Sequence, residues 1–186
     1  MADLIPQTLT IAQLGNPVLR QIAQPIDNVH DPSVQALIDN LMATLLSSNG
    51  VGIAAPQVAA PDQLLIVASR PNPRYPHAPE MEPTVMVNPR LLSHSPEKVK
   101  DWEGCLSVPG IRGLVPRYRA IEIEYTRADG TSQHQTLTDF VARIFQHEFD
   151  HLNGQVFLDR VESVQDLITD QEYLTRVLPA ALGQQS

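Results

Sequence analysis

His147-Glu148-Phe149-Asp150-His151 is the stretch of sequence around which the predicted fold is arranged. It lies in a segment, residues 139–152, whose pattern predicts a helix closed by Asn153-Gly154. Successive residues of an α-helix turn by about 100°, so histidines four positions apart face the same way. Both imidazoles can then bind one divalent metal, while Glu148 can accept a proton from water without being a ligand. The pattern predicts a hydrolytic metal site on a buried helix.

The third ligand is not given by this motif, and the sequence offers several candidates. A metzincin continues His-x-x-Gly-x-x-His; Gly154 matches, but Phe157 stands where the last histidine should be. A thermolysin-like site would use a later glutamate, for which Glu172 is the candidate. The only cysteine, Cys105, completes instead a set of one thiolate and two imidazoles with a fourth position open for water. Its alternative role is that of a small buried hydrophobic residue.

Three motifs in this order resemble those of the peptide deformylase family. They are Gly50-Val51-Gly52-Ile53-Ala54-Ala55-Pro56-Gln57, then Glu103-Gly104-Cys105-Leu106-Ser107, then the His147–His151 stretch. The resemblance extends from residues 15–20 to residues 157–159. It implies a metal-dependent hydrolase that removes the formyl group from the N-terminal formylmethionine of new proteins and releases formate. The alternative is a gluzincin-type zinc peptidase with Glu172 as third ligand.

The resemblance also implies a role for each residue of the site. The implied metal ligands are Cys105, His147 and His151. Glu148 would take a proton from water and later deliver it to the leaving amine. Attack on the formyl carbon creates an oxyanion, and the implied donors to it are the Gln57 side-chain amide and the Leu106 backbone N–H.

The main chain near the first two motifs is the expected binding surface for the peptide. Gly50 and Gly52 permit unusual backbone angles and the close approach of another chain. A peptide could lie there as an added strand, bonded to the main chain of Val51, Gly52 and Gly104. Arg112 matches a family position that contacts the peptide further along.

A pocket for the methionine side chain is expected on the helix itself. Phe140, Arg143 and Ile144 precede His147 by spacings that place them on its face of the helix. Phe140 and Ile144 are suitable apolar lining. Arg143 is expected to line the pocket with its methylene stem while its charged head reaches solvent.

Two further acidic residues have no settled role in the sequence. Asp150 lies three positions after His147 and could orient a ligand or form an ion pair. Glu103 could hold an arginine or a ligand in place.

The donor set leaves the identity of the metal open. Cysteine and histidine suit Zn²⁺, Fe²⁺, Ni²⁺ or Co²⁺. The family resemblance favours Fe²⁺, with the other three ions able to occupy the site. A binding protein with a structural zinc is the competing class, but it would need a fourth protein ligand, and no second cysteine exists.

Composition predicts a single globular domain over residues 1–186, of ordinary size for one core. The net charge of -8 argues against direct nucleic acid binding and against an anionic membrane as partner. A single cysteine excludes an internal disulfide and suits a reducing cytoplasm. The start, Met1-Ala2-Asp3-Leu4-Ile5-Pro6, lacks the pattern of a signal peptide. Together with the family resemblance, which implies action on nascent chains at the ribosome, this predicts a cytoplasmic monomer.

Periodicity predicts an α+β fold with short, mostly antiparallel sheets around the metal-binding helix. A helix should begin at Asp31-Pro32-Ser33 and end near Asn49-Gly50. Asp129-Gly130 marks a hairpin between residues 120–126 and 131–138. Further strands are predicted at residues 63–69, 84–87 and 111–117. A surface loop with five prolines covers residues 71–83. A C-terminal helix is predicted at residues 163–178, burying Val164, Leu167, Ile168 and Leu174.

Overall fold

Two antiparallel sheets and two long helices form the fold in the computed structural model, which describes residues 5–183. The five-stranded sheet has the order β1-β2-β3-β6-β7, and the three-stranded sheet has the order β4-β5-β8. The strands are β1 Gly52–Ala54, β2 Leu64–Val67, β3 Thr84–His94, β4 Lys98–Cys105, β5 Val108–Tyr118, β6 Ala120–Thr126, β7 Ser132–Thr138 and β8 Leu167–Thr169. The predicted α+β class is confirmed.

Helix α1, Pro32–Ser47, covers one face of the five-stranded sheet. It starts as predicted, because the Asp31 side chain accepts a hydrogen bond from the Ser33 N–H at 2.8 Å. Its apolar stripe packs against alternate residues of β1 and β2; the buried residues of the two sides are Ile38, Leu41, Leu45, Ile53, Leu64 and Ile66. The helix ends at Ser47, slightly before the predicted Asn49-Gly50.

Helix α2, Asp139–Leu152, carries the His-Glu-x-x-His motif and covers the opposite face of the same sheet. Successive residues of a strand point to opposite faces, so Leu65 and Val67 pack against α2 while their neighbours pack against α1. The predicted end is confirmed: Gly154 has φ 68°, and its N–H donates to the His151 carbonyl at 3.3 Å. A Cβ at Gly154 would lie 2.7 Å from the Arg20 carbonyl oxygen, so only glycine fits.

The hairpin and the proline-rich loop also agree with the sequence. Strands β6 and β7 pair from Ala120–Thr138 to Thr126–Ser132, with the turn at Asp129-Gly130. Residues 71–83 contain no helix or strand, only an isolated bridge between Asn72 and Tyr75.

The three-stranded sheet was largely missed by the sequence analysis. Strand β4 was not predicted, and both β3 and β5 are longer than the predicted segments. The first half of β4 is exposed and charged, so it has no alternation of apolar and polar residues. It is a strand because it pairs with β5, from Lys98–Tyr118 to Glu103–Gly113.

The prediction of one C-terminal helix over residues 163–178 is wrong. Residues Val164–Asp166 form a single 3-10 turn, and β8 then pairs with β5. Helical structure starts only at Asp170, where the Thr169 hydroxyl caps the Glu172 N–H at 3.2 Å. A π-helical turn, Tyr173–Val177, leads into the last helix, Leu178–Gly183. The pairing of β8 with β5 therefore overrides the helical sequence pattern at the start of the predicted helix.

The predicted buried face of this segment is wrong as well. Val164 is 82% exposed and Leu174 46% exposed, whereas Tyr173 is buried. Leu167 and Ile168 are half-buried on β8.

No helix within residues 5–183 is long and apolar enough to cross a membrane. The chain start, Met1–Leu4, on which the signal-peptide expectation partly rests, and the last three residues lie outside the described residues. The assignment of residues 1–186 to one domain stays a prediction.

Candidate active site

A cleft lies between the two sheets, next to α2. In the sheets formed by the described residues, β1 and β4 are edge strands, and both border this cleft. Every residue of the predicted site lines it except His151 and Arg112. Among the described residues, the edges of β1 and β4 that have no strand partner thus border the same cleft as α2.

Cys105, His147 and His151 meet beneath the cleft. Each offers one ligand atom, and these atoms lie within 4.8 Å of one another. The Cys105 Sγ is 3.3 Å from His151 Nε2, and the two imidazole rings are 5.3 Å apart. All three residues are buried. One sulfur and two nitrogen donors at this spacing fit a divalent transition metal with a position left for water or substrate.

Hydrogen bonds at the sulfur support its assignment as a thiolate ligand. The Ser107 N–H donates to Cys105 Sγ at 3.4 Å, and the Gln57 side-chain amide donates to it at 3.5 Å. Two donors thus point at the sulfur, and the thiolate is the form of cysteine that binds metals.

Glu103 orients His147. Its Oε2 accepts from His147 Nδ1 at 2.9 Å, which leaves Nε2 as the nitrogen available to a metal. Glu103 also binds the Arg117 guanidinium with both oxygens, at 2.9 Å each, and Arg143 at 2.8 Å. Although burial opposes it, the Arg117 charge lowers the pKa of Glu103 below its ordinary value. Glu103 is therefore an ionised carboxylate that holds the side chains of Arg117, Arg143 and His147 in place.

Asp150 is an ion-pairing residue, one of the two roles considered for it. It accepts from Arg117 at 2.6 Å on one side and from Arg160 at 2.7 Å on the other. Gln146 completes the contact between α2 and β5 by bonding both backbone groups of Tyr118, at 3.0 and 2.9 Å.

The two histidines of the motif differ in their electrostatic surroundings. Burial lowers the pKa of His151 well below its ordinary value, and the charges of His147 and Arg117 add to this effect. Although burial lowers it, contacts with Cys105 and Glu103 raise the pKa of His147 well above its ordinary value. A cation at the centre of the site would face the same sulfur that favours a proton on His147.

Glu148 is a buried carboxylate with an unpaired oxygen. Within residues 5–183, its Oε2 has no hydrogen-bond partner. Burial raises the pKa of Glu148 from its ordinary value to about 7. The carboxylate lies directly against β1, because a Cβ at Gly52 would be 2.5 Å from Glu148 Oε1 and 2.8 Å from Ile144 Cγ2.

Gly52 thus lets α2 pack closely against β1, while the expected close approach of another chain stays a prediction. The expectation of unusual backbone angles is wrong, since neither Gly50 nor Gly52 has a positive φ.

Gln57 is held in one orientation. Its Oε1 accepts from the Ala54 N–H at 2.9 Å, so its amide nitrogen is directed to the Ser107 hydroxyl, at 3.2 Å, and to the sulfur. The side chain is buried in the wall of the cleft beside Leu106. The Gln57 amide is therefore held in place next to the metal-binding group.

Arg143 is the clearest correction to the predicted site. Its head does not reach solvent; the residue is 6% exposed. The guanidinium donates to Glu103 and to the carbonyl oxygens of Val115, at 2.8 Å, and Val99, at 2.6 Å. The carbonyls of Val99 on β4 and Val115 on β5, with the Glu103 carboxylate, take the place of the water molecules that an exposed guanidinium would bind.

Arg112 is fully buried behind Gly104 rather than lining the cleft. Its Nε donates to Asp170 at 2.8 Å, and its guanidinium carbon lies 4.1 Å from the centre of the Tyr173 ring. Both terminal nitrogens lack partners in the part of the chain that the structure describes.

Two cleft residues from the proline-rich loop were missed by the sequence analysis. Arg74 and Tyr75 come from the proline-rich loop and line the cleft. The Tyr75 ring packs on Phe140 with centroids 5.0 Å apart. A long loop carrying an aromatic and a cationic residue is the signal that could have indicated them.

Glu172, the alternative third ligand, is not part of the site. It is exposed near the chain end and pairs with Arg176 at 3.2 Å. The possible metal-binding group found among the described residues is Cys105, His147 and His151. The gluzincin-type alternative is therefore not favoured.

Comparison with known proteins agrees with this geometry. The family model for polypeptide deformylase matches residues 8–166. The chain belongs to this family. It is a metal-dependent hydrolase that removes the formyl group from N-terminal methionine, as the deformylase motifs predicted.

Individual relatives give the same result. Peptide deformylase 2 of Nostoc sp. is 67% identical over 168 residues, which cover 90% of this chain and 94% of the relative. Peptide deformylase 2 of Shewanella oneidensis is 46% identical, covering 88% and 90%. A class I type b peptide deformylase from Acinetobacter baumannii, solved with Met-Ala-Ser bound, has a TM-score of 0.81 at 46% identity, covering 83% of this chain and 98% of its own.

Proposed function

We propose that Cys105, His147 and His151 hold one divalent metal, Fe²⁺ in the cell, with Zn²⁺, Ni²⁺ or Co²⁺ able to replace it. The buried sulfur and nitrogen donors within 4.8 Å of one another support this assignment. When bound, the metal would polarise the formyl carbonyl and lower the pKa of a water molecule to about 7. Glu103 keeps His147 in the orientation that this role needs.

Glu148 is the proton carrier of the proposed reaction. Its carboxylate takes a proton from the water that attacks the formyl carbon and delivers it to the amine nitrogen as the C–N bond breaks. Formate and a peptide with a free N-terminal methionine are the products. A pKa of about 7 suits both roles, since a group near the working pH can accept and donate with little cost.

Gln57 and Leu106 stabilise the negative charge on the formyl oxygen. The Gln57 amide nitrogen is directed to the metal-binding sulfur, and Leu106 directly follows Cys105 in the cleft wall. The Leu106 backbone N–H and the Gln57 amide are then the two donors to the oxyanion.

The peptide is proposed to bind as an additional strand between β1 and β4. Main-chain groups of Val51, Gly52 and Gly104 would bond to it, which suits an enzyme acting on many sequences. The Arg112 guanidinium, whose terminal nitrogens have no partner within residues 5–183, lies behind Gly104 and is proposed to contact the peptide further along.

The methionine side chain is assigned to the inner part of the cleft. Its lining consists of Phe140, Arg143 and Ile144 on α2. The relative from Acinetobacter baumannii was solved with Met-Ala-Ser bound, which supports a peptide beginning with methionine as ligand here too.

The proposed cellular substrates are nascent chains at the ribosome, met by a monomeric enzyme in the cytoplasm. A thiolate ligand requires a reduced cysteine, which fits a reducing compartment. The net charge of -8 gives no electrostatic support for direct nucleic acid binding, so contact with ribosomal RNA is not part of the proposal.

The observation that carries this function is the Cys-His-His group with the Glu148 carboxylate beside the β1 edge. The test is anaerobic purification, removal of the metal with a chelator, and reconstitution with single metals, followed by an assay on formyl-Met-Ala-Ser. Activity should vanish on chelation and return with Fe²⁺, whereas acetyl-Met-Ala-Ser should remain a poor substrate. Full turnover by metal-free protein would contradict the proposal.

A further inference from the structure

The inner end of the methionine pocket is separated from solvent by two side chains. Phe140 and Arg143 line the substrate cleft, and the same two residues line a second cleft, together with residues of β4 and β5. That second cleft opens at the surface, where Val99, Arg119 and Asp139 are exposed. The two clefts are thus adjacent, with Phe140 and Arg143 between them.

Arg143 spans this boundary in a fixed position. Its stem leaves α2 on the pocket side, and its head is bound to the Val99 and Val115 carbonyls and to Glu103. Three strong acceptors hold the guanidinium, so moving it aside would break several charge-assisted hydrogen bonds at once. Phe140 is held from the pocket side by the Tyr75 ring.

We propose that Arg143 is a specificity-determining residue, which closes the far end of the methionine pocket and sets the longest side chain that the pocket accepts. This inference rests on the proposed function, because it assumes that the substrate's first side chain occupies this cleft. Replacing Arg143 by a short residue joins the pocket to the surface cleft. A longer straight side chain could then extend past the position that the arginine now fills.

The physical basis is the burial of methylene groups. Each additional methylene that becomes buried favours binding by about fourfold. In the native enzyme that gain is unavailable beyond the length of methionine, because the next methylene would meet a guanidinium that cannot leave its carbonyl partners without cost. Although charged residues also line the second cleft, the opened channel would let a longer side chain contact Phe140, Tyr118 and Val99.

The experiment compares two substrates by kcat/KM: formyl-norleucyl-Ala-Ser, whose first side chain has the length of methionine, and formyl-2-aminooctanoyl-Ala-Ser, which is two methylenes longer. Arg143→Ala should raise the ratio of long to short substrate by about tenfold. Arg143→Lys keeps the length and charge but loses the planar fork, so it should retain the native ratio even if overall turnover falls. Arg90→Ala, at an exposed arginine away from the clefts, should also retain it.

The ratio separates pocket closure from a merely structural role, since damage to Glu103 or to metal binding lowers both rates together. An unchanged ratio in folded, metal-loaded Arg143→Ala would overturn the proposal, as would an equal rise in Arg143→Lys. If Arg143→Ala does not fold, Arg143→Leu, which keeps an apolar stem but is shorter than arginine, is measured instead, and an unchanged ratio there overturns the proposal equally. A native enzyme inactive on the norleucyl substrate would instead contradict the proposed function.

Discussion

Glu103 and Glu148 are both buried carboxylates beside the same histidine, yet their surroundings are opposite. Glu103 lies on β4 and binds two arginines and His147. Glu148 lies on α2 with one oxygen unpaired among the described residues. Arg117 lowers the pKa of Glu103, whereas burial raises that of Glu148 to about 7. One carboxylate stays charged, and the other is poised to exchange a proton near neutral pH.

The difference indicates that Glu103 positions its neighbours, whereas Glu148 can take part in proton transfer. A carboxylate whose charge is fully compensated has no remaining capacity to move a proton, but it fixes the orientation of its partners. A buried carboxylate without a charge partner costs folding free energy and is retained where its proton affinity is used. The two residues should therefore respond differently to the same substitution.

The largest expected effect is on turnover, at Glu148. Glu148→Gln removes the proton carrier and keeps the shape, so kcat on formyl-Met-Ala-Ser should fall by about 10²–10⁴-fold or more. Bound metal should stay at the native level, because Glu148 is not one of the three ligands. Elemental analysis of the same sample is the check: a variant without metal would show that Glu148 supports the ligands rather than the proton transfer.

The next effect is on stability and metal affinity, at Glu103. Glu103→Gln leaves Arg117 with one fewer buried counter-charge, which should lower the free energy of unfolding by about 3–5 kcal/mol. Because the negative charge of Glu103 would no longer face His147 Nδ1, metal binding should weaken by about 10–100-fold. Urea unfolding of metal-free protein and metal competition measure the two effects.

Arg160→Ala is the matched control for Glu103→Gln. Arg160 is the half-exposed partner of Asp150 in the same network, so its removal should cost only about 1 kcal/mol or less. Equal destabilisation by both variants would contradict the expectation that the buried ion pairs of Glu103 stabilise the fold more than the half-exposed Arg160 pair does.

The smallest effect is on the pH dependence of stability, and it has opposite signs for the two carboxylates. The folded-state pKa of Glu103 is lowered, so its stabilising contribution is present above the unfolded value of 4.5 and is lost as pH falls below it. Glu148 has a raised pKa, so in metal-free protein stability should fall as pH rises from 4.5 to about 7. Glu103→Gln should flatten the acid side and Glu148→Gln the neutral side of the unfolding free-energy curve. A curve unchanged by either substitution would contradict the assigned pKa shifts.

The contrast between regions also explains which parts of the fold could be predicted. Helices α1 and α2 and the β6–β7 hairpin were found from the sequence because their signals are local: a capping Asp31, an apolar stripe, an Asp129-Gly130 turn. Strands β4 and β8 were not found, because they form by pairing with β5. The first half of β4 is exposed and charged, and the sequence of β8 has a helical pattern. Local periodicity cannot reveal a partner that is distant in the chain.

The site follows the same division. The motifs identified the residues that meet at the metal, since each motif carries its chemistry in a few adjacent positions. The buried head of Arg143 was not predicted, because it depends on carbonyls of β4 and β5. Tyr75 was missed for a similar reason: only tertiary packing brings the proline-rich loop onto Phe140.

The central claim is that Cys105, and not Glu172, completes the metal site. Bound metal per chain in anaerobically purified Cys105→Ser and Glu172→Ala tests it most directly. Since Glu172 is exposed and pairs with Arg176, Glu172→Ala should remain fully loaded, whereas Cys105→Ser should lose most of its metal because a hydroxyl is a poorer ligand than a thiolate. A fully loaded Cys105→Ser protein beside an empty Glu172→Ala protein would contradict the account.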